Sequence, residues 1–137
     1  MKNYSAVAEQ YARDVISGKI PAGKYIKLAC QRHLDDLDWQ TDDGFAFRYD
    51  AKAAHKVCTF IELMPHTKGK WAAEKKTLIL EPWQVFMTCC LFGWKRKKDN
   101  NRRFRRFLLL VPRKNGKSAW AAAVGNYMLV ADGEHGA

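Results

Sequence analysis

Gly116-Lys117-Ser118 stands between an apolar run, Phe107-Leu-Leu-Leu-Val111, and a helix-favouring run, Ala119-Trp-Ala-Ala-Ala-Val124. An apolar strand, a tight loop, Gly-Lys-Ser and a helix, in that order, form the layout of a nucleotide phosphate-binding loop. The residue types supply the chemistry. Gly116 lets the backbone approach a phosphate with no Cβ in the way, and the loop N–H groups and helix N-terminus favour negative charge. The Lys117 ammonium suits the β- and γ-phosphates, and the Ser118 hydroxyl suits Mg²⁺. One departure is plain: the usual pattern has glycine five residues before Gly116, where Val111 stands. Gly-Lys-Ser alone arises often by chance, so the expectation rests on its flanking strand and helix.

A second concentration of chemistry precedes the loop. Lys95, Arg96, Lys97, Lys98, Arg102 and Arg103, followed by Arg105, Arg106, Arg113 and Lys114, share one window with a single acid, Asp99. Such a cluster can neutralise nucleic-acid phosphates without reading sequence. Equally, it can be a solvated linker or edge whose charge keeps a sheet soluble. Aromatics that would stack on single strands are thin, since Phe104 and Phe107 fit a strand core. If Lys117 serves the nucleotide, all the other cations of this window remain for DNA or solvent.

The 137 residues suffice for one domain, or one domain with an arm. Nearly half are apolar (47%), which excludes a disordered tail. The net charge of +10 points to an anionic partner, nucleic acid first. No apolar stretch approaches the ~20 residues that span a bilayer, and Met1-Lys-Asn-Tyr begins no signal peptide, so no membrane is expected. Cys30, Cys58, Cys89 and Cys90 lack Cys-x-x-Cys spacing and read as reduced thiols packed as small apolar side chains in a cytosolic protein. His33, His55, His66 and His135 are scattered and suggest no metal cluster beyond nucleotide-bound Mg²⁺.

The elements that must position these residues follow from periodicity. Tyr4, Val7, Ala8, Tyr11, Ala12 and Val15 recur at helical spacing, and Gly18 with Pro21 ends that helix. A second helix is expected from about Ala22 to Leu37, with Ile26, Ala29, Cys30, His33, Leu34 and Leu37 on one face. Trp39 to Tyr49 reads as a loop. Asp50 should cap a third helix that buries Ala53, Ala54, Val57, Cys58, Ile61 and Met64. Pro65 to Lys70 reads as a turn and Leu78-Ile-Leu80 as a short strand. Pro82 suits the first turn of a helix running to about Trp94. Lys95 to Arg103 reads as a basic linker into a strand over Phe104 to Val111, buried on both faces as in a parallel sheet.

Such a strand needs parallel neighbours, which arrive through crossovers. After the helix of about Lys117 to Val130, only Ala131-Asp-Gly-Glu-His-Gly-Ala137 follows. The expected fold is therefore α/β: a helical N-terminal segment leading into the first strand, phosphate loop and helix of an incomplete P-loop domain. No apolar strand ending in an acidic Mg²⁺-organising pair follows the loop.

At this point the chain resembles the large subunit of tailed-phage terminases, the motors that package DNA into capsids. Tyr11-Ala-x-Asp14-Val with Gly18-Lys-Ile-x-Ala22-Gly-Lys, and Leu28-Ala-Cys-x-Arg32-His-Leu-x-Asp36-Leu, look like the helical N-terminal segment of its HK97-like branch. Leu80-Glu-Pro-Trp-Gln84 resembles the family's adenine motif. Pro112-Arg-Lys-Asn-Gly-Lys-Ser118 is similar to its variant Walker A, which often lacks the first glycine, so Val111 fits the resemblance.

That resemblance implies an ASCE-type P-loop ATPase, with residues 1–64 as the helical segment and 65–137 as the start of the ATPase domain. It implies ATP and Mg²⁺ as cofactors, with Gln84 reading the adenine edge through an amide that both donates and accepts. Arg113, Lys114, Asn115, Gly116, Lys117 and Ser118 would form the phosphate loop, with Arg113 acting on the γ-phosphate. Against these roles stand a plain surface amide for Gln84 and a solvated charge for Arg113; Trp83 reads as core packing. Double-stranded DNA, a terminase small subunit and a portal are the implied partners, in a bacterial host cytoplasm and an oligomeric full-length motor. The family's acidic Walker B pair and nuclease would lie beyond Ala137, so nucleotide binding without hydrolysis is expected. The competing reading is a non-catalytic basic DNA- or protein-binding module, a prophage remnant whose Gly-Lys-Ser is incidental.

Overall fold

The computed structural model describes residues 2–66, 70, 73–112 and 116–133. Among them the elements run α1 (Tyr4–Ile16), α2 (Lys24–Trp39), β1 (Phe47–Tyr49), α3 (Ala51–Glu62), α4 (Pro82–Gly93), β2 (Trp94–Arg96) and α5 (Lys117–Val130). The body is mostly helical with one antiparallel two-stranded ladder, compatible with the expected α/β class.

Helices α1, α3 and α4 begin where a side chain partners orphan N–H groups, whereas α2 and α5 begin at Gly23 and Gly116 with no side-chain cap. Asn3 Oδ1 accepts from the Ala6 N–H at 3.0 Å and starts α1. Asp50 Oδ1 does the same for Ala53 at 3.1 Å and starts α3, as expected. Gly18, at φ +85°, follows α1 in the left-handed region that glycine adopts without a Cβ penalty. The apolar periodicity then sets the packing. Tyr4, Ala8, Tyr11, Ala12 and Val15 of α1 are buried, as are Ala54, Val57, Cys58 and Ile61 of α3.

Helix α4 is the most enclosed element, with every residue from Gln84 to Cys89 buried. It packs against both α1 and α3, while α2 lies on α1 and α5 on α3. One hydrophobic cluster runs from Tyr4 through Ile61 and Phe92 to Tyr127, continuous across residue 64. Three cysteines sit in it as small apolar side chains, and the Cys58 and Cys89 sulfurs touch at 3.8 Å. No helix among the described residues is long and apolar enough to cross a membrane.

The structure corrects several expectations. The stretch from Phe104 to Val111 is not a strand and is not buried on two faces: Leu108 is 81% and Leu110 82% exposed. Leu109 and Val111 are half-buried, so from Leu108 to Val111 burial alternates with the period of two that a strand would have. A ladder requires a neighbour to take its N–H and C=O groups, and among the described residues none pairs with this run. Leu78-Ile-Leu80 is likewise no strand; the pairing there is a single bridge, Pro65 to Thr77. Helix α2 begins at Lys24, after Gly23, and continues to Trp39, leaving Ile26 exposed.

Conversely, the expected loop over Trp39 to Tyr49 ends in strand β1, and the expected basic linker begins as strand β2. They pair antiparallel, Phe47 with Arg96, Arg48 with Lys95 and Tyr49 with Trp94. The Tyr49 ring lies where a Cβ on Gly93 would be, so glycine is required at the end of α4.

Candidate functional site

Helix α4 presents the first candidate. Glu81 and Gln84 form a reciprocal capping box: the Glu81 side chain accepts from the Gln84 N–H, and Gln84 Oε1 accepts from the Glu81 N–H at 2.9 Å. The helix start therefore fixes Gln84, which is buried and not a surface amide. Trp83, half-buried, packs on the core as expected.

Helix α5 presents the second. Gly116 caps it at φ +73°, ψ 11°, a left-handed conformation that a Cβ would strain. Lys117 and Ser118 follow in the first turn with exposed side chains, while Trp120, Ala123 and Tyr127 anchor the helix to the core. Arg113, Lys114 and Asn115 lie outside the described residues.

The fold brings these two candidates together. A Cβ placed on Gly116 would sit 3.2 Å from Gln84 Nε2, so the adenine-motif amide borders the glycine that opens the phosphate-loop helix. Two hydrogen bonds reinforce the junction. The Thr88 hydroxyl donates to the Gln84 carbonyl at 2.7 Å, and the Trp120 indole N–H donates to Thr88 Oγ1 at 2.9 Å. The Trp120 ring also packs on Phe107, 5.6 Å between centroids, from the segment that enters the loop. Thr88 and Trp120 carry no motif of their own in the sequence. Their only signal is spacing, Thr88 one turn after Gln84 and Trp120 two residues after Ser118. Two shallow cavities, one of about 400 Å³ beside Tyr4 and His55 and one of about 390 Å³ beside Trp39 and Phe45, lie elsewhere.

The basic cluster divides. Arg102 is buried and paired with the enclosed carboxylate of Asp132, beyond the end of α5. Arg103 donates to the buried Asp36 at 2.6 Å, and its guanidinium lies 4.2 Å from the Phe47 ring centroid and 4.9 Å from that of Phe104. These two arginines are thus engaged within the fold. Asp132, one of the few acids after the loop, is engaged too. Lys95, Arg96, Lys97 and Lys98 lie in β2 and the turn after it, Lys95 half-buried and the other three exposed. Arg96 pairs with Asp99 and holds that carboxyl below the usual carboxylate range, aided by the Asn101 backbone N–H. Lys97 Nζ donates to the Asp42 carbonyl at 3.0 Å, and Lys98 is exposed. Arg48, which no sequence motif marks, stands directly across the ladder from Lys95. Like charges in that arrangement repel, which an anion between them would relieve.

Residues 82–136 match the family model of the terminase large subunit, ATPase domain. That span, which holds Gln84, Gly116, Lys117 and Ser118, is similar to the ATPase domain of terminase large subunits. The motifs resembling the HK97-like N-terminal segment precede it. No curated protein and no solved structure matches the chain.

Proposed function

We propose that this chain is the nucleotide-binding front of an ATP-driven motor that packages viral DNA, a part of a terminase large subunit of the HK97-like branch. The observation that carries the reading is the meeting of Gln84 with Gly116, inside the span that matches the terminase ATPase domain. Gln84 would take the adenine edge, Lys117 the β- and γ-phosphates, and Arg113 the γ-phosphate, with Lys114, Asn115 and Gly116 supplying loop N–H groups. The donor set suits a phosphate: a left-handed glycine at a helix start, flanked by an exposed ammonium and hydroxyl. Mg²⁺, held by Ser118 and the phosphates, would neutralise charge on the nucleotide. The site works in a bacterial host cytoplasm, with the terminase small subunit and portal as partners.

A fluorescent ATP analogue with Mg²⁺ should bind the wild-type chain, and Lys117→Ala should weaken it by roughly tenfold to a hundredfold. That is the scale of one charge-assisted hydrogen bond. Equal binding by the two proteins would overturn the assignment of the loop.

The surface around β2 supplies the DNA-binding face in this reading. With Arg102 and Arg103 held in ion pairs, Lys95, Arg96, Lys97 and Lys98 are the residues to test. Duplex affinity should fall steeply with salt and depend little on sequence. Changing these four to Ala should reduce the log–log salt slope by about 0.9 for each phosphate no longer neutralised. Circular dichroism must show the same helices in both proteins. An unchanged slope in the folded quadruple variant places the DNA-binding face elsewhere. Duplex binding with no nucleotide binding would instead favour the non-catalytic module.

A further inference from the structure

We infer that Thr88 and Trp120 are positioning residues of the nucleotide site, setting the register between the adenine-reading helix and the phosphate-binding helix. This rests on the nucleotide reading above and goes beyond it. A nucleotide would be held at two ends, its base by α4 and its phosphates by α5. Its affinity then depends on the distance and rotation between two helices that come from separate parts of the sequence. Among the described residues, one polar side-chain link between them at this end is the Trp120 indole on Thr88 Oγ1 at 2.9 Å.

Thr88 is fully buried, Trp120 is 7% exposed, and the bond lies one turn from Gln84 on one helix and one turn from Gly116 on the other. Thr88 also donates to the Gln84 carbonyl at 2.7 Å, so one hydroxyl serves both helices. In the buried setting this bond is directional where apolar packing is not, so it selects one rotation of α5. The Trp120 ring also rests on Phe107, in the segment that enters the loop. A single indole thereby holds the segment before the loop against the helix after it.

The test separates positioning from folding. Thr88→Val preserves shape and removes the hydroxyl, while Thr88→Ser restores it. Displacement titrations on the 137-residue chain would measure Mg²⁺-ATP, Mg²⁺-GTP and Mg²⁺-tripolyphosphate. The expected result is that Thr88→Val loses about tenfold in its preference for ATP over GTP, the scale of one buried hydrogen bond. Tripolyphosphate binding should change less, and Thr88→Ser should recover the preference. An unchanged ATP-to-GTP ratio in folded Thr88→Val overturns the inference and leaves the nucleotide reading standing. Absence of ATP binding by the wild type overturns both. Should Thr88→Val not fold, the Trp120 indole N–H resonance, assigned by its loss in Trp120→Phe, decides in the wild type. It should shift and gain exchange protection when Mg²⁺-ATP is added, and no change overturns the inference.

Discussion

Arg103→Ala should destabilise the fold by about 3–5 kcal/mol, the cost of removing one partner from a buried ion pair. Asp36 is 4% exposed, and Arg103 at 2.6 Å is the cation that compensates its charge. Without it the carboxylate is left buried with no compensating charge. The same guanidinium lies over the rings of Phe47, Phe104 and, at 5.7 Å, Trp94, so its loss also opens packing space. Arg103→Lys keeps the charge but not the planar stacking, and should fall between. Removing both charges, as Asp36→Leu with Arg103→Met, should recover much of the loss. Urea unfolding of the four proteins measures this. A loss below about 1 kcal/mol for Arg103→Ala, the range of an exposed pair, would show Arg103 acting as a surface cation.

Arg103 also marks the boundary between what is legible in the sequence and what is not. Local signals carry well: Asp50 as a cap, Pro82 at the start of α4, and the buried stripes of α1 and α3 all follow from spacing within one helix. Non-local pairings are hidden. Arg103 reads as one more charge in a basic run, because its partner Asp36 lies on a helix far earlier in the chain. The three-residue strands β1 and β2 are too short for an alternating pattern, and each exists through the other. The apolar run at Phe107 to Val111 shows the reverse failure. Its composition is that of a strand, but a strand is defined by partners, and Leu108 and Leu110 face solvent instead.

The candidate site divides along the same line. The types and order of Gly116, Lys117 and Ser118 are visible as a motif, and Gln84 through resemblance. Their approach across α4 and α5 depends on Thr88 and Trp120, which no local pattern distinguishes from ordinary core residues.

Lowering the pH from neutral should weaken the fold through His33. His33 is 3% exposed, its Nδ1 accepts the Trp94 indole N–H at 3.0 Å, and the Tyr49, Phe86 and Trp94 rings surround it. Burial pushes its pKa from 6.5 down to about 4. The charges of Glu9 on α1 and Asp36 on α2 oppose that shift, while Arg32 adds to it. A protonated ring could not accept from the indole, so the geometry and the shift agree. In the unfolded chain the imidazole takes a proton near pH 6.5, and in the folded chain not until about pH 4. The unfolded state therefore binds more protons throughout that window, and stability must fall as the pH falls.

The contribution is complete above about pH 6.5 and diminishes to the lower value. The loss is about 2 kcal/mol by pH 5 and about 3 kcal/mol by pH 4. Against a total of roughly 5–15 kcal/mol for a domain, this is a substantial share. Carboxylates begin to contribute in the lower part of the same range, so the measurement must be a difference. His33→Gln can keep an acceptor for the indole and does not titrate. Urea unfolding of both proteins at intervals from about pH 7.5 to 4 should give profiles that converge as the pH falls, the wild type losing stability faster. Parallel profiles would mean that His33 takes up its proton at the same pH in the folded and unfolded protein, and that its bond with Trp94 is not the one described.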